Sequence, residues 1–400
     1  GFGPSIPPCP GIDFACYAGK RIRVFDQHFR PSLTQQWNLT FQYQFNNSTT
    51  MQVGYVGQHG THLLNFFDAT QLVGLNAAGT LARPGEQIVS RVAGPFLGGA
   101  GDPASVLYSA DNSALGGANA IAGVNMSNSS QRYDALQAVL QKRLSNGLQG
   151  QVAYTWSKCM SNSPGYFGTG WGSANALSSG GQPGWQNSYD GKADWGPCYW
   201  DQTHVLSSYV TYQLPFGRGK QFGRDMNPVL NAVAGNWEIG GIISLHSGNA
   251  LTLNEFGGWG AFNGDPSNTN GIGAYFLSAR PNCDGPLKTI NQYVPGDLTA
   301  GTPGFIRWFD TSNVSHPVNE FGTCSVGNGR GPGLASVDLN LHKAFQFTER
   351  TRMEFRLEAI NAFNRRVLTF SGGPAGGSFD PGTPVQGEGS TNPNFGNITG

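Results

Sequence analysis

Polar and apolar residues alternate strictly along several stretches of this chain. From Trp37 to Phe45 every odd position is apolar or aromatic, and every even position carries an uncharged polar side chain. Because successive side chains of a β-strand point to opposite faces, this alternation predicts a strand with one apolar and one polar face. A turn at 46–48 and a second alternating stretch at 50–55 complete a predicted hairpin.

The same unit returns three times further along the chain. The link inside the third unit, at 227–233, predicts one helical turn. We therefore predict a single all-β segment without a second domain. The expected hairpins lie near 35–58, 131–158, 203–247 and 334–363, and the long loops between them at 59–130, 159–202 and 248–333.

Residues 133–144 fit two structures by their period alone. Leu136, Val139 and Leu140 form an apolar stripe on a helix, whereas Leu136 and Leu140 also share one face of a strand. The strongly alternating stretch at 148–157 comes directly after a turn at 145–147. This arrangement favours a hairpin.

The connections between predicted strands are short at one end and long at the other. Compact soluble domains rarely carry structureless loops of such length. Strands with one apolar face, joined in this asymmetric way, are typical of outer-membrane β-barrels. Because lipid offers no partner to unpaired backbone groups, the strands must close a barrel, and the about eight to ten strands present would form part of it. A soluble β-sandwich is the alternative.

A barrel of this kind assigns a role to each face of the sheet. Aromatic residues near strand ends are predicted at the two membrane interfaces: Trp37, Tyr55, Trp156, Tyr212 and Trp237. Polar side chains on the opposite face are predicted to line the lumen: Gln42, Gln52, Gln137, Gln151, Glu354 and Arg356. In the last of these strands Arg and Glu alternate at 352–358, which predicts a solvated or mutually paired charge ladder.

Composition narrows the class of partners. Charged residues make up 12% of the chain, and 24 Lys and Arg balance 24 Asp and Glu. A neutral chain has no electrostatic hold on a phosphate backbone, which argues against nucleic-acid binding. The start of the chain has neither an initiator Met nor the pattern of a signal peptide, so we expect a fragment or a processed product.

The six cysteines fall into three sequence-local pairs within predicted loops. An even number of loop cysteines predicts disulfides and an oxidising compartment, although six free thiols are the alternative. The expected pairs are Cys9 with Cys16, Cys159 with Cys198, and Cys283 with Cys324.

Motifs for metal binding or catalysis are weak. His59 and His62 lie three apart, and on a strand such residues face opposite sides, which argues against a shared metal. Asp190 and Asp194 lack the Gly and Glu of a calcium loop. Neither the G-x-S-x-G elbow nor the H-E-x-x-H motif occurs in the sequence. We therefore predict no enzyme activity, no cofactor and no metal.

One loop is unusually rich in aromatic and acidic residues. Aromatic faces and carboxylates can bind a sugar or a peptide by stacking and hydrogen bonding. The alternative is a self-packed extracellular loop with its own small core. The candidate ligand-binding residues are Trp171, Trp185, Tyr189, Asp190, Asp194, Trp195, Tyr199 and Trp200.

An ordered set of segments resembles the barrel of Oar-like TonB-dependent outer-membrane receptors, which are common in acidobacteria. The resemblance covers roughly residues 25–400. The segments are Gln35–Leu39, Gly54–Leu63, Tyr133–Gln137, Leu140–Arg143, Tyr154–Lys158, Asp201–Val205, Leu214–Lys220, Arg330–Gly333, Asp338–Leu341 and Phe355–Asn364.

The resemblance implies a large barrel that takes up a nutrient across the bacterial outer membrane. It also implies an N-terminal plug and a contact with the TonB complex. Because no plug or N-terminal domain is recognisable in this sequence, we expect the chain to be the C-terminal part of a barrel. The implied partners are outer-membrane lipid and an unidentified nutrient, with carbohydrate or peptide as candidates. The alternatives are a passive porin or surface-adhesive protein, and a secreted carbohydrate-binding or carbohydrate-active protein.

Overall fold

A computed structural model describes residues 22–68, 73–92, 122–163, 185–253, 280–296, 304–315, 317, 320–346, 350–368 and 397–399. These residues form strands and one short helix, α1 (Pro228–Ala234). The strands are β1 (Ile22–Phe25), β2 (Leu33–Asn46), β3 (Thr49–Asp68), β4 (Val73–Leu75), β5 (Ser90–Val92), β6 (Ala122–Ser145), β7 (Leu148–Ser161), β8 (Gly196–Pro197), β9 (His204–Gln213), β10 (Trp237–His246), β11 (Ala250–Leu251), β12 (Asn282–Cys283), β13 (Lys288–Val294), β14 (Phe305–Asp310), β15 (Val314–Ser315), β16 (Gly329–Arg330), β17 (Leu334–Gln346), β18 (Arg352–Ala359) and β19 (Asn397–Thr399).

Eight long strands form one antiparallel sheet in the order β2-β3-β6-β7-β9-β10-β17-β18. Strand β1 pairs in parallel with the start of β6, and β8 pairs with the end of β7. Within the described part of the chain, β2 pairs with β3 alone and β18 with β17 alone, so the sheet is an open segment of a barrel. This confirms the predicted all-β, antiparallel fold. No helix of the described residues is long and apolar enough to cross a membrane.

Residues 133–144, which fitted two structures, lie inside β6. The turn after β6 requires left-handed backbone, with φ of 52° at Asn146 and 79° at Gly147. Asn-Gly is the preferred pair for such a two-residue hairpin turn. A side chain at position 147 would also meet the carbonyl oxygen of Gln213 at 2.8 Å, so the turn sequence also suits the neighbouring strand.

The strand register joins the apolar positions into one continuous face. Phe41 lies opposite Val53 and Val53 opposite Ala138, and the alignment continues through β7, β9, β10, β17 and β18. Residues directly opposite each other in an antiparallel ladder share a face. Phe41 is 69% exposed and Leu357 58% exposed, which is expected of a surface that faces lipid rather than water.

The opposite face is mostly polar. Gln42 lies opposite Gln52, and the amide of Gln36 donates to that of Gln58 at 3.3 Å. In β18, Arg352 contacts Glu354 at 2.6 Å, so the predicted charge ladder contains a paired step. This face corresponds to the barrel lumen.

Aromatic residues occupy both ends of the apolar face. Trp37 and Trp156 lie toward the end with the long loops, and they are 43% and 54% exposed. Tyr212 and Trp237 lie toward the end with the tight turns, where Trp237 packs edge-on against Phe355 at 5.8 Å. These positions fit the two aromatic belts of an outer-membrane barrel.

Strands β3 and β6 run beyond the bounds expected for their hairpins. Their pairing continues to Asp68 and Gly123, so strand structure replaces both ends of the expected loop at 59–130. The extension is stabilised by a small apolar cluster in which Phe67 and Val124 are 5% and 7% exposed. Strands β3 and β6 therefore extend as a two-stranded ribbon beyond the rest of the sheet, at the end with the long loops.

Substitution on each face of β2 tests the assignment of faces. Leu39→Arg places a charge near the middle of the apolar face and should lower the free energy of unfolding in lipid vesicles by about 2–4 kcal/mol. The matched control is Gln42→Arg on the polar face of the same strand, which should change it by less than about 1 kcal/mol. Equal losses from both variants, measured by urea unfolding of the intact protein, would contradict the assignment.

Candidate functional site

The long connections fold together beyond one end of the sheet, which is the extracellular end of an outer-membrane barrel. Two of the three predicted cysteine pairs are disulfides here. The Cα atoms of Cys159 and Cys198 are 5.4 Å apart, and those of Cys283 and Cys324 are 4.8 Å apart. Cys9 lies outside the described residues, as does Cys16.

Asp201 links three elements next to the first disulfide. Its carboxylate accepts from the backbone N–H of Cys159 at 2.7 Å and from Nη2 of Arg330 at 2.6 Å. Arg330 also donates from Nη1 to the backbone oxygen of Asp201 at 2.7 Å. Because the Asp201 side chain is only 1% exposed, these charge-assisted bonds fix the end of β7 to β16 and to the start of β9.

A buried ion pair joins the β7–β9 loop to the β10–β17 loop. The guanidinium of Arg280 donates to the carboxylate of Asp194, and the two side chains are 1% and 2% exposed. Burial raises the pKa of Asp194, against the opposing influence of Arg280. Removing one partner from such a pair leaves an uncompensated charge in the interior.

Gln186 completes this contact with its side-chain amide. Its oxygen accepts from the backbone N–H of Arg280 at 3.2 Å and of Gly322 at 3.1 Å. Its amide nitrogen donates to the carbonyl of Gly322 at 3.1 Å, so the amide imitates a paired strand. A side chain at position 322 would lie 1.8 Å from the carbonyl oxygen of Arg280, so only Gly permits the approach.

The β10–β17 loop has an apolar core of its own. Trp308 packs in this core and donates from Nε1 to the carbonyl of Arg330 at 2.7 Å. Small sheets form around it: β11 pairs with β16, β12 with β15, and β14 with both β13 and β19. The core residues are Leu251, Leu253, Leu287, Trp308, Phe309, Val314 and Cys324.

Three of the candidate ligand-binding residues lie inside this loop assembly. Trp185 donates to the carbonyl of Asn162 at 2.6 Å and is 9% exposed. Tyr189 packs edge-on against Phe67 at 5.1 Å, and Asp194 is buried in its ion pair. These three side chains hold the loops together.

The other candidates reach the surface to different extents. Trp195 is 38% and Trp200 45% exposed, and Tyr199 packs edge-on against Trp200 at 4.5 Å. Asp190 is half-buried, and its carboxylate accepts from the backbone N–H of Lys192 at 3.1 Å. Trp171 lies outside the described residues.

The same loops contain acidic residues, which are potential metal ligands. In the described ranges, His, Cys, Asp and Glu side chains form no group of three that could hold a metal ion. Two buried carboxylates of the described loop residues pair with arginines instead, Asp194 with Arg280 and Asp201 with Arg330.

Breaking the buried ion pair should loosen the loops selectively. Arg280→Met leaves Asp194 buried without its counter-charge and should destabilise the loop assembly by about 3–5 kcal/mol. The double variant Arg280→Met with Asp194→Leu should recover most of this loss, because no charge is then buried. Hydrogen exchange of amides in 185–198 and 280–296 measures the effect. Equal exchange in the single and double variants would contradict it.

Reduction of the disulfides offers a separate test. The bridges close loops of 39 and 41 residues, and chain-entropy arguments assign about 4 kcal/mol to each. Because disulfide sulfurs do not react with an alkylating reagent, these four cysteines of the native protein should stay unlabelled until reductant is added. After reduction, proteolysis should cut the loops while the sheet stays protected. Labelling of all four without reductant would rule out the bridges.

Comparison with known proteins agrees with this architecture. The sequence matches the family described as outer membrane beta barrel domain over residues 3–400. Comparison with curated proteins finds no match.

Two solved structures are similar to this chain at low identity. One is the outer membrane transporter YddB from Escherichia coli, at 8% identity and a TM-score of 0.38 over 88% of this chain and 32% of that one. The other is the FrpB iron transporter from Neisseria meningitidis, at 10% identity and a TM-score of 0.34 over 88% of this chain and 30% of that one. This chain thus spans about a third of the length of each. Since the family match covers almost the whole sequence, the chain belongs to the outer membrane beta-barrel domain family of the bacterial outer membrane.

Proposed function

We propose that this chain is part of the barrel wall of a TonB-dependent receptor of the Oar-like type, which takes up a nutrient across the outer membrane. The observation that carries the proposal is the open sheet with an apolar outer face, a polar lumen face and a folded loop assembly at one end. The open edges at β2 and β18 call for further strands, because lipid cannot satisfy free backbone groups. The ordered motifs of the Oar-like barrel give the proposal its family type.

Coupling to TonB belongs to the same proposal. In such receptors a plug fills the barrel, and the polar face of the sheet would contact it. Glu354 and Arg356 lie on that face and are exposed in this open segment. They are available to a plug or to solvent in the lumen.

Ligand contact is assigned to the exposed aromatic residues of the β7–β9 loop. Trp200 and Tyr199 form an edge-to-face pair with half of the indole exposed, and Trp195 is exposed nearby in sequence. Exposed aromatic faces stack on sugar rings or on peptide side chains. Carbohydrate and peptide therefore remain the two ligand classes of the proposal.

A passive or adhesive role is the second candidate, and the loop assembly favours it. Two disulfides, a buried ion pair and an apolar core make the extracellular loops a compact surface. The secreted alternative and the soluble β-sandwich are wrong, because the chain belongs to an outer-membrane family.

Uptake by intact cells separates energised transport from passive passage. Cells that produce the intact protein should accumulate labelled oligosaccharides or oligopeptides, and a protonophore should abolish the accumulation. Trp200→Ala should lower uptake by about twofold to tenfold, since one aromatic contact contributes roughly 0.5–1.5 kcal/mol. The control is Trp156→Ala, which removes a tryptophan of similar exposure, 54% against 45%, from the lipid-facing side. Uptake that survives the protonophore would favour a porin, and absence of uptake with retained cell adhesion would favour an adhesin.

A further inference from the structure

The connection from β9 to β10 carries α1 at the end of the sheet opposite the long loops. The tight turns between β2 and β3 and between β6 and β7 lie at this same end, because the strands alternate in direction. In outer-membrane barrels the short turns face the periplasm. Helix α1 therefore lies at the periplasmic rim of the barrel.

The side chain of Lys343 shows on which face of the sheet the helix lies. Lys343 is directly opposite Trp237 and Phe355 in the ladder, so it belongs to the apolar, lipid-facing side. Its Nζ donates to the carbonyls of Gly235 at 2.6 Å and Val233 at 3.1 Å. The C-terminal end of α1 is thereby held over the outer surface of the barrel, away from the lumen.

The helix itself is uncharged and exposes an apolar stripe. Val229, Leu230 and Val233 are 76%, 49% and 68% exposed, and α1 has no buried residue. Their spacing places them within about a third of the helix circumference. A seven-residue helix with exposed valines is marginal in water, because short helices and β-branched residues are both unfavourable.

Several polar groups at the two ends of α1 find partners within the protein. Asn227 accepts from the backbone N–H of Leu230 at 2.7 Å, and Pro228 has no N–H to satisfy. At the other end, Lys343 and the indole of Trp237 bind the last carbonyls, the indole at 2.9 Å from that of Val233. These caps lower the cost of placing the helix at the membrane interface, where some water remains.

The apolar stripe adjoins a surface that already faces lipid. Met353 and Phe355, near the same end of the sheet, are 50% and 45% exposed on its outer side. The ammonium of Lys343 lies 5.1 Å from the ring centres of both Trp237 and Phe345, so its charge is shielded where it crosses this surface. The lipid-facing band thus continues from the strands onto the helix.

We propose that α1 is an interfacial anchor, which inserts Val229, Leu230 and Val233 into the periplasmic, phospholipid leaflet of the outer membrane. The inference rests on the outer-membrane location and is independent of transport. The apolar stripe of α1 would bind at the boundary between the lipid headgroups and the acyl chains, where apolar helix faces insert. The anchor would fix the long β9–β10 connection against the membrane and keep it clear of the lumen.

Site-specific fluorescence measures the depth of the helix directly. Val229→Cys or Val233→Cys in the intact protein is labelled with an environment-sensitive dye and reconstituted into phosphatidylethanolamine and phosphatidylglycerol vesicles. The wild-type protein serves as the labelling blank, and Asp225→Cys, an exposed position of the same connection, is the matched control. We expect a blue-shifted emission at 229 and 233 and at least twofold stronger quenching by shallow doxyl lipids than at 225.

Two outcomes would overturn the proposal. Emission at 229 and 233 equal to that at 225, without quenching by doxyl lipids, would place the helix in water. A blue shift that increases with protein density in the vesicles, without quenching by doxyl lipids, would show that the helix contacts a second copy of the protein instead. Since these variants change only exposed side chains, the fraction of folded protein by heat-modified mobility in gels should match wild type.

Discussion

The structure depends on one constraint: inside a bilayer every backbone N–H and C=O must find its partner within the protein. Seven antiparallel ladders satisfy this demand between β2 and β18, whose outer edges need further strands, and the register of the ladders also decides which side chains meet the lipid. A slip of one residue in any ladder would turn apolar side chains toward the lumen and amides toward the acyl chains. The continuous apolar face is therefore both the consequence of the register and the reason it is held.

Outside the membrane the constraint is relaxed, and different interactions stabilise the chain. The described parts of the loops pair only in short strands, so ladders alone do not account for their stability. Disulfides cross-link them. Two ion pairs join segments that are far apart in sequence, one between Asp201 and Arg330 and one between Asp194 and Arg280. The core around Phe309, which is fully buried, adds the hydrophobic contribution. The extracellular part thus resembles a small secreted domain built on top of a membrane sheet.

The sequence reveals the strands because lipid imposes a period of two that helices and loops do not share. It also placed the Asn146–Gly147 turn, whose backbone needs residues that tolerate positive φ. The extension of β3 and β6 was not predictable, since Asn, Ser and Gly dominate 123–130 and blur the alternation. The sequence also could not separate Trp185, which is packed, from Trp200, which is exposed. That difference depends on Asn162 and on the Arg280 segment, which are distant in sequence.

Lys343 shows how a charge on the lipid-facing side becomes compatible with the constraint. By alternation it occupies an apolar position of β17, where an unpaired ammonium would be costly. The helix C-terminus supplies carbonyls that lack an intrahelical partner and carry partial negative charge. The hydrogen bonds lower the free-energy cost of burying both partners: the ammonium of Lys343 donates to the carbonyls at the helix end, and these carbonyls accept from the ammonium. An apparent violation of the barrel pattern is therefore the contact that holds α1 against the barrel surface, and the apolar stripe of the helix restores the continuity that the charge would interrupt.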